Sequence, residues 1–445
     1  MPAKPPKPSA RRRTPQAKAA IVAAALLGLA LPFQITLEFG GTATRISAAD
    51  PLLLAAMPFA GLYAWRRRQM LYRTAGAPLL LAAAACTAAL TLALFIGHAQ
   101  IGAWNGWALV KFTGWFVLLA YAGFGMALAS AGGAAAVAAF GAGLFLAQIS
   151  AFAAYMVSLA GPFDWTVRSG PRLQGWADNA NAMAMQMLIG LALALGFNGP
   201  VRDRAGGVAA IAVPAILAAM VLFTRSVAGL AALPLLLGAA AVWRSVRPGT
   251  LVLIVAVASV LWLGPQMISG WNSLNVVEKA AAVLAPRMAA QTKSAGVQTL
   301  TVDARAKSYR LALEQWKSRP LTGAGLGTHM VSQKRAEAAA PAVQIHNTPL
   351  WLAAETGVLG LGAFSVLVLL LGLRFWRAGR CPPGPDMTRA MAVSALLALG
   401  SAVVMSLFHE LLYQRMLWAV LGLALAFSAP GADQREPGPR ESRER

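Results

Sequence analysis

The sequence contains little with which to build a covalent or metal framework. It has two cysteines in 445 residues, Cys86 inside an apolar run and Cys381 in a basic loop, so neither a disulfide framework nor a cysteine metal site can be assembled. Acidic residues are scarce, 16 Asp+Glu against 38 Lys+Arg, and no paired carboxylates or Asp-x-Asp arrangement stand out along the chain. The four histidines, His98, His329, His346 and His409, are not at helical ligand spacing and are joined by no acidic cluster, which predicts no metal site and no cofactor. A Walker-type glycine loop, a dinucleotide fingerprint and internal repeats are also missing, so an ATP-driven role has no support.

What is abundant is apolar. Hydrophobic residues make up 58% and charged residues 12%, against roughly 45–50% and 25% in a soluble domain, and this moves the chain into the membrane class. Runs of Ala, Leu, Val and Gly are long enough to cross a roughly 30 Å hydrocarbon core as helix, and they lack the short alternation of barrel strands. The runs fall at 18–37, 48–65, 77–97, 106–128, 132–160, 180–198, 206–224, 226–243, 249–271, 347–376, 388–408 and 411–429. The expected fold is therefore all-α, a polytopic transmembrane bundle of about twelve spans.

Charge placement gives an independent reading of orientation. With the basic N-terminus (residues 1–17) inside as a signal-anchor, the cytoplasmic loops carry Arg66, Arg67, Arg68 and Arg73, then Arg202 and Arg204, then Arg244 and Arg247, then Arg374, Arg377, Arg380 and Arg389, as the positive-inside rule requires. This accounts for much of the net +22 and leaves a nucleic-acid partner disfavoured. On the other face lies one long segment, 272–345, far beyond ordinary loop length and expected to be a small helical subdomain. Val277–Met288 and Ala304–Lys317 have helical spacing, with Asp303 as the N-cap candidate of the second and Pro320 and Gly323 ending it. Residues 430–445 read as a disordered cytoplasmic tail.

Positive charge on the outer face is the feature that the positive-inside rule does not supply. Arg168, Arg172, Arg225, Arg287, Arg305 and Arg310 all fall there. For loop residues, solvated surface is a sufficient explanation. Arg225 differs, because Thr224-Arg225-Ser226 is a tight connection between two apolar runs, where a guanidinium must snorkel, pair, or meet a ligand phosphate. His346 has a similar setting in Gln344-Ile345-His346-Asn347-Thr348-Pro349-Leu350, where Asn347 or Thr348 could cap the next helix with Pro349 in its first turn. It is either a proton acceptor or a boundary histidine held for structure. Arginine forks bind and stabilise a departing diphosphate while a histidine deprotonates a hydroxyl, so the combination points toward a lipid-diphosphate substrate.

Several landmarks resemble the O-antigen ligase and polymerase superfamily: Asp178-Asn179-Ala180-Asn181-Ala182-Met183-Ala184, Thr224-Arg225-Ser226, Arg305 followed by Pro320-Leu321-Thr322-Gly323-Ala324-Gly325-Leu326-Gly327, and His346-Asn347-Thr348-Pro349-Leu350. With the spans they cover about residues 160–425. The resemblance implies His346 as catalytic base and Arg225 and Arg305 as diphosphate ligands. Arg310 is a rival to Arg305, since Tyr309 stands where a tryptophan is common. Arg168, Arg172, Asn181, His409 and Glu410 are further substrate-contact candidates, Asn181 the weaker because Ala180 departs from the usual pattern.

The resemblance further implies a glycosyltransferase of the bacterial inner membrane. Its reaction face would be periplasmic and its termini cytoplasmic. It would move a glycan from undecaprenyl diphosphate to a lipid A–core hydroxyl, with inversion and without metal. A polysaccharide polymerase or a protein O-oligosaccharyltransferase is the alternative within the superfamily. One dominant outer loop and a chain ending soon after the twelfth run favour the ligase. A lipid-linked glycan transporter is the alternative class; it would place charges along a mid-membrane path, and only Lys111 and Arg415 are candidates for that.

Overall fold

The computed structural model describes residues 14–39, 42–160, 167–169, 172–177, 179–270, 295–336, 344–380 and 387–428. The chain is a helical membrane bundle. Its helices are α1 (Pro15–Ala30), α2 (Ala49–Arg66), α3 (Arg68–Ala75), α4 (Ala77–Ile101), α5 (Gly106–Ala160), α6 (Ala180–Gly196), α7 (Asn198–Thr224), α8 (Val227–Val242), α9 (Pro248–Gly270), α10 (Ala295–Ser318), α11 (Thr328–Ala336), α12 (Thr348–Gly379), α13 (Met387–Ser406) and α14 (Arg415–Phe427). Five of them are long and apolar enough to cross a membrane, and shorter apolar helices accompany these. The longest, α5, is two helices meeting at Gly133, whose φ of 57° and ψ of −145° break it where the sequence divides its two apolar runs.

Tight helix contacts use glycine, as expected where lipid removes the hydrophobic drive between helices and close packing must supply it. Gly28 of α1 and Gly143 of α5 each lie against the other helix's backbone, and Gly125 of α5 and Gly422 of α14 do the same. At one end of the bundle, basic residues tie helix ends together. Arg374 donates to the Thr74 and Ala75 carbonyls and to Ser428 Oγ, and Arg389 donates to the Trp243 and Gly379 carbonyls. These arginines therefore satisfy helix C-terminal carbonyls as well as setting charge.

Three details differ from the sequence reading. The run 18–37 is helical only to Ala30, and β1 (Gln34–Phe39) then pairs antiparallel with β2 (Thr42–Ser47), Ile35 opposite Ile46; β-branched residues around Gly40-Gly41 carry a hairpin signal inside an otherwise apolar run. A second small pairing joins β3 (Arg168–Ser169) to β4 (Arg172–Leu173). α10 begins at Ala295, so Asp303 lies inside it and is not its N-cap. The expected helix 277–288, Arg287, Asp178, Cys381, the first thirteen residues and the tail 430–445 lie outside the described residues.

The element that shapes the other end of the bundle is a break in α12. Gly357 has φ 66° and ψ −167°, a region open essentially only to glycine. The break frees backbone groups inside a membrane protein, where each must find a partner. Pro320–Gly325 supplies them: Ala324 N and Gly325 N donate to the Ala354 and Glu355 carbonyls, while Val358 N and Leu359 N donate to the Pro320 and Leu321 carbonyls. Leu326 N reaches across to the Ala93 carbonyl of α4. Gly325, at φ +97°, packs directly on the Gly97 backbone, which explains why this turn is rich in glycine.

Candidate active site

His346 immediately precedes α12 and is held from two directions. Tyr309 Oη on α10 donates to its carbonyl at 3.0 Å. Next to it, Asn347 caps α12, its Oδ1 accepting from Leu350 N at 2.8 Å while its Nδ2 donates to the Leu407 carbonyl. Thr348 does not cap; its hydroxyl donates to the His409 carbonyl at 2.9 Å and accepts from Leu411 N. These bonds clip the 407–414 connection onto the start of α12. As a result the His346 and His409 rings meet edge to face, centroids 5.9 Å apart.

Both rings are deprived of charge. Burial, and then the Arg305 guanidinium, holds His346 down to about 4. His409 is also lowered to about 4, by burial first and then by His346, Arg305 and Arg172. Desolvation and like charge act in the same direction on an imidazole. Both rings are consequently neutral near pH 7 and able to accept a proton.

The arginines close in from separate elements. Arg305 lies on the face of α10 that carries Tyr309, four residues on; it is exposed and its charge reaches both histidines and Tyr309. Arg310 is displaced by about 140° around the helix and exerts no such influence on them. Arg172 donates to the Thr224 carbonyl at 3.1 Å and to Asn181 Oδ1 at 3.4 Å, so it joins the C-terminus of α7 to the N-terminus of α6. Asn179 caps α6, accepting from Asn181 N and Ala182 N.

Arg225 follows at once as the left-handed C-cap of α7, φ 50°. It sits with Arg168 within electrostatic reach of the Tyr155 hydroxyl. Arg244 makes the same left-handed turn, so the backbone form of Arg225 is a turn device rather than a mark of a site. The side-chain setting is more telling, since among the described residues the Arg225 and Arg305 guanidinia form no hydrogen bond or ion pair.

A second charged group lies beneath this surface. Lys111 Nζ is 3.0 Å from Glu410 Oε1 and 3.9 Å from Glu355 Oε2, and 4.0 Å over the Trp351 ring. Glu355 also accepts from Trp351 Nε1 at 2.6 Å and from Gly327 N at 3.1 Å. The carboxylates that the linear sequence does not pair are thus paired in space, and Lys111 is not a free mid-membrane charge. Arg415 is likewise engaged, 2.7 Å from Asp50. His329 is fully buried, bonded by Ser308, Gln315 and Gln333, and ties α11 to α10. His98 stacks on Trp104 at 4.1 Å, apart from the cluster.

Residues 212–365 match the family model described as O-antigen ligase. Over this segment the chain is similar to the O-antigen ligase family. That family is glycosyltransferase-like. The O-antigen ligase segment contains Arg225, Arg305, the glycine-rich turn inserted into α12, His346 and Glu355. Arg172, Asn181, His409, Glu410 and Lys111 belong to the rest of the chain and meet the O-antigen ligase segment only through folding. No curated protein matches the chain.

Proposed function

We propose that the protein is an O-antigen ligase that transfers a glycan from undecaprenyl diphosphate to a hydroxyl of lipid A–core, at a site on the periplasmic face of the inner membrane. The observation that carries this reading is the meeting of a neutral, half-buried His346 with Arg305 and the second imidazole of His409. Arg225 and Arg305, whose guanidinia have no hydrogen-bond partner among the described residues, bind the diphosphate as forks. The acceptor oxygen attacks the anomeric carbon opposite the diphosphate, its proton passes to His346, and the carbon–oxygen bond to the diphosphate breaks with inversion.

The arginines stabilise the charge that develops on the leaving group, which is the main demand of such a step and is met without a metal. Donor binding also tunes the base. Burial is the larger cause of the low proton affinity of His346, and a diphosphate beside Arg305 offsets the smaller, positive-charge part, moving that affinity toward the operating pH. The test is transfer by the purified protein with a defined undecaprenyl-diphosphate-linked glycan and a lipid A–core acceptor. Glycan joined to lipid A–core is the expected product; chains lengthened on the lipid donor alone would identify a polymerase, and absence of any transfer would overturn the reading.

A further inference from the structure

The buried Lys111 group is not consumed by the reaction above, yet it touches both elements that present an imidazole. Glu355 stands on α12, two turns beyond His346, and is fixed by Trp351 and by the Gly327 amide. Glu410 follows His409 directly and has Lys111 as its cation. Lys111 comes from the start of α5, whose own carbonyl at that residue accepts from Tyr413 Oη at 2.9 Å. Tyr413 in turn packs on Gly114, where a Cβ would meet its ring. All three charged side chains are at most a tenth exposed, and Gln344 and Ile345, the residues leading into His346, line the same narrow pocket.

We propose that Lys111 is a positioning residue, which holds the His409 connection against the start of α12 by bridging Glu355 and Glu410 and so sets the spacing of the two imidazoles. Two buried carboxylates without their shared cation repel each other and lose the compensation for their burial. The Thr348 hydroxyl bonds and the Asn347 bond to the Leu407 carbonyl then oppose separation of the two segments. Displacement by as little as about 1 Å of groups that orient a reacting hydroxyl can cost about 10²-fold in rate.

The inference rests on the reading of His346 as base, so one arm of the test needs no transfer. In a Cys381→Ser background, His346→Cys and His409→Cys are combined and treated with a short bifunctional thiol reagent. Cross-linking should be rapid with Lys111 present, much slower in Lys111→Met and recovered in Lys111→Arg. Equal rates with Lys111 and Lys111→Met would overturn the clamp whether or not the protein transfers glycan. If Lys111→Met fails to insert, Glu410→Gln keeps the shape and removes the charge; it should slow cross-linking, and an unchanged rate would overturn the clamp equally. In the transfer assay, Lys111→Met should lower kcat about 10²-fold at an unchanged KM for the lipid-diphosphate donor. A raised donor KM at unchanged kcat would instead make Lys111 a donor ligand and end the positioning role.

Discussion

The His346 and His409 rings come from different connections and meet edge to face at 5.9 Å, and the Thr348 hydroxyl, bonded to the His409 carbonyl and the Leu411 amide, holds the two connections together. With Arg305 acting on both and Arg172 on His409, they form a surface that is cationic at its rim and neutral at its centre. Such a surface suits an anion that must be held beside a proton acceptor.

Replacing His346 with Ala should leave insertion and donor binding intact and lower transfer by roughly 10²–10⁴-fold, the usual range for a lost general base. Initial rates of glycan transfer check this alongside binding of undecaprenyl diphosphate itself. Near-normal transfer would remove His346 from the chemistry.

The low proton affinity of both histidines fixes the sign of the pH response. Each is neutral in the folded protein down to about pH 4, whereas an unfolded histidine takes a proton near ~6.5. As pH falls from about 6.5 toward 4 the unfolded chain binds more protons, so stability declines over that window and is unaffected by these groups above it. In catalysis, the acid limb of kcat/KM should lie well below 6.5, and that of kcat should lie higher, because bound diphosphate raises the pair. The two rings interact, so the limbs belong to the pair rather than to one ring. Identical acid limbs for both parameters would contradict the tuning by donor.

Changing Arg225 or Arg305 to Ala should weaken donor use severely, with Lys restoring only part because it lacks the fork. Arg310→Ala should behave close to the parent. Donor titrations with each variant settle the comparison, and a dead Arg310→Ala beside an active Arg305→Ala would reverse the assignment of α10.

Gly357→Ala should impair folding rather than chemistry. The backbone form there costs a residue with a Cβ roughly 1–3 kcal/mol, and the added carbon would meet the Leu321 carbonyl. Thermal unfolding in detergent should drop clearly, while protein that remains folded keeps its donor KM.

A cysteine placed at Gln298, in α10, should react with a membrane-impermeant thiol reagent in cells stripped of their outer membrane. Protection at that position would invert the orientation read from the basic loops.

The helical scaffold was legible because apolar runs and their basic borders reflect the thickness and charge asymmetry of a membrane, and each run lies largely on helix. The start of α12 was legible as well, since Asn, Thr and Pro in that order carry their own geometry. The Lys111 clamp was not. Each of its members is a single charge in an apolar or mixed stretch, and nothing local marks Lys111 as the partner of Glu355 or Glu410; only the packing of α5 against α12 and the 407–414 connection brings them together. His329 escaped for the opposite reason, as a histidine in a polar loop gives no sign that three side chains will enclose it.

The docking of the Pro320–Gly325 turn into the break of α12 bears on how the protein is made. These residues leave the ribosome before α12, and their amides and carbonyls are the partners of the gap at Gly357. During membrane insertion the second half of α12 can enter lipid as an ordinary helix, while the gap waits for that earlier segment to dock. A chain in which that segment lags would leave the Ala354 and Glu355 carbonyls without these partners, a cost that lipid does not relieve.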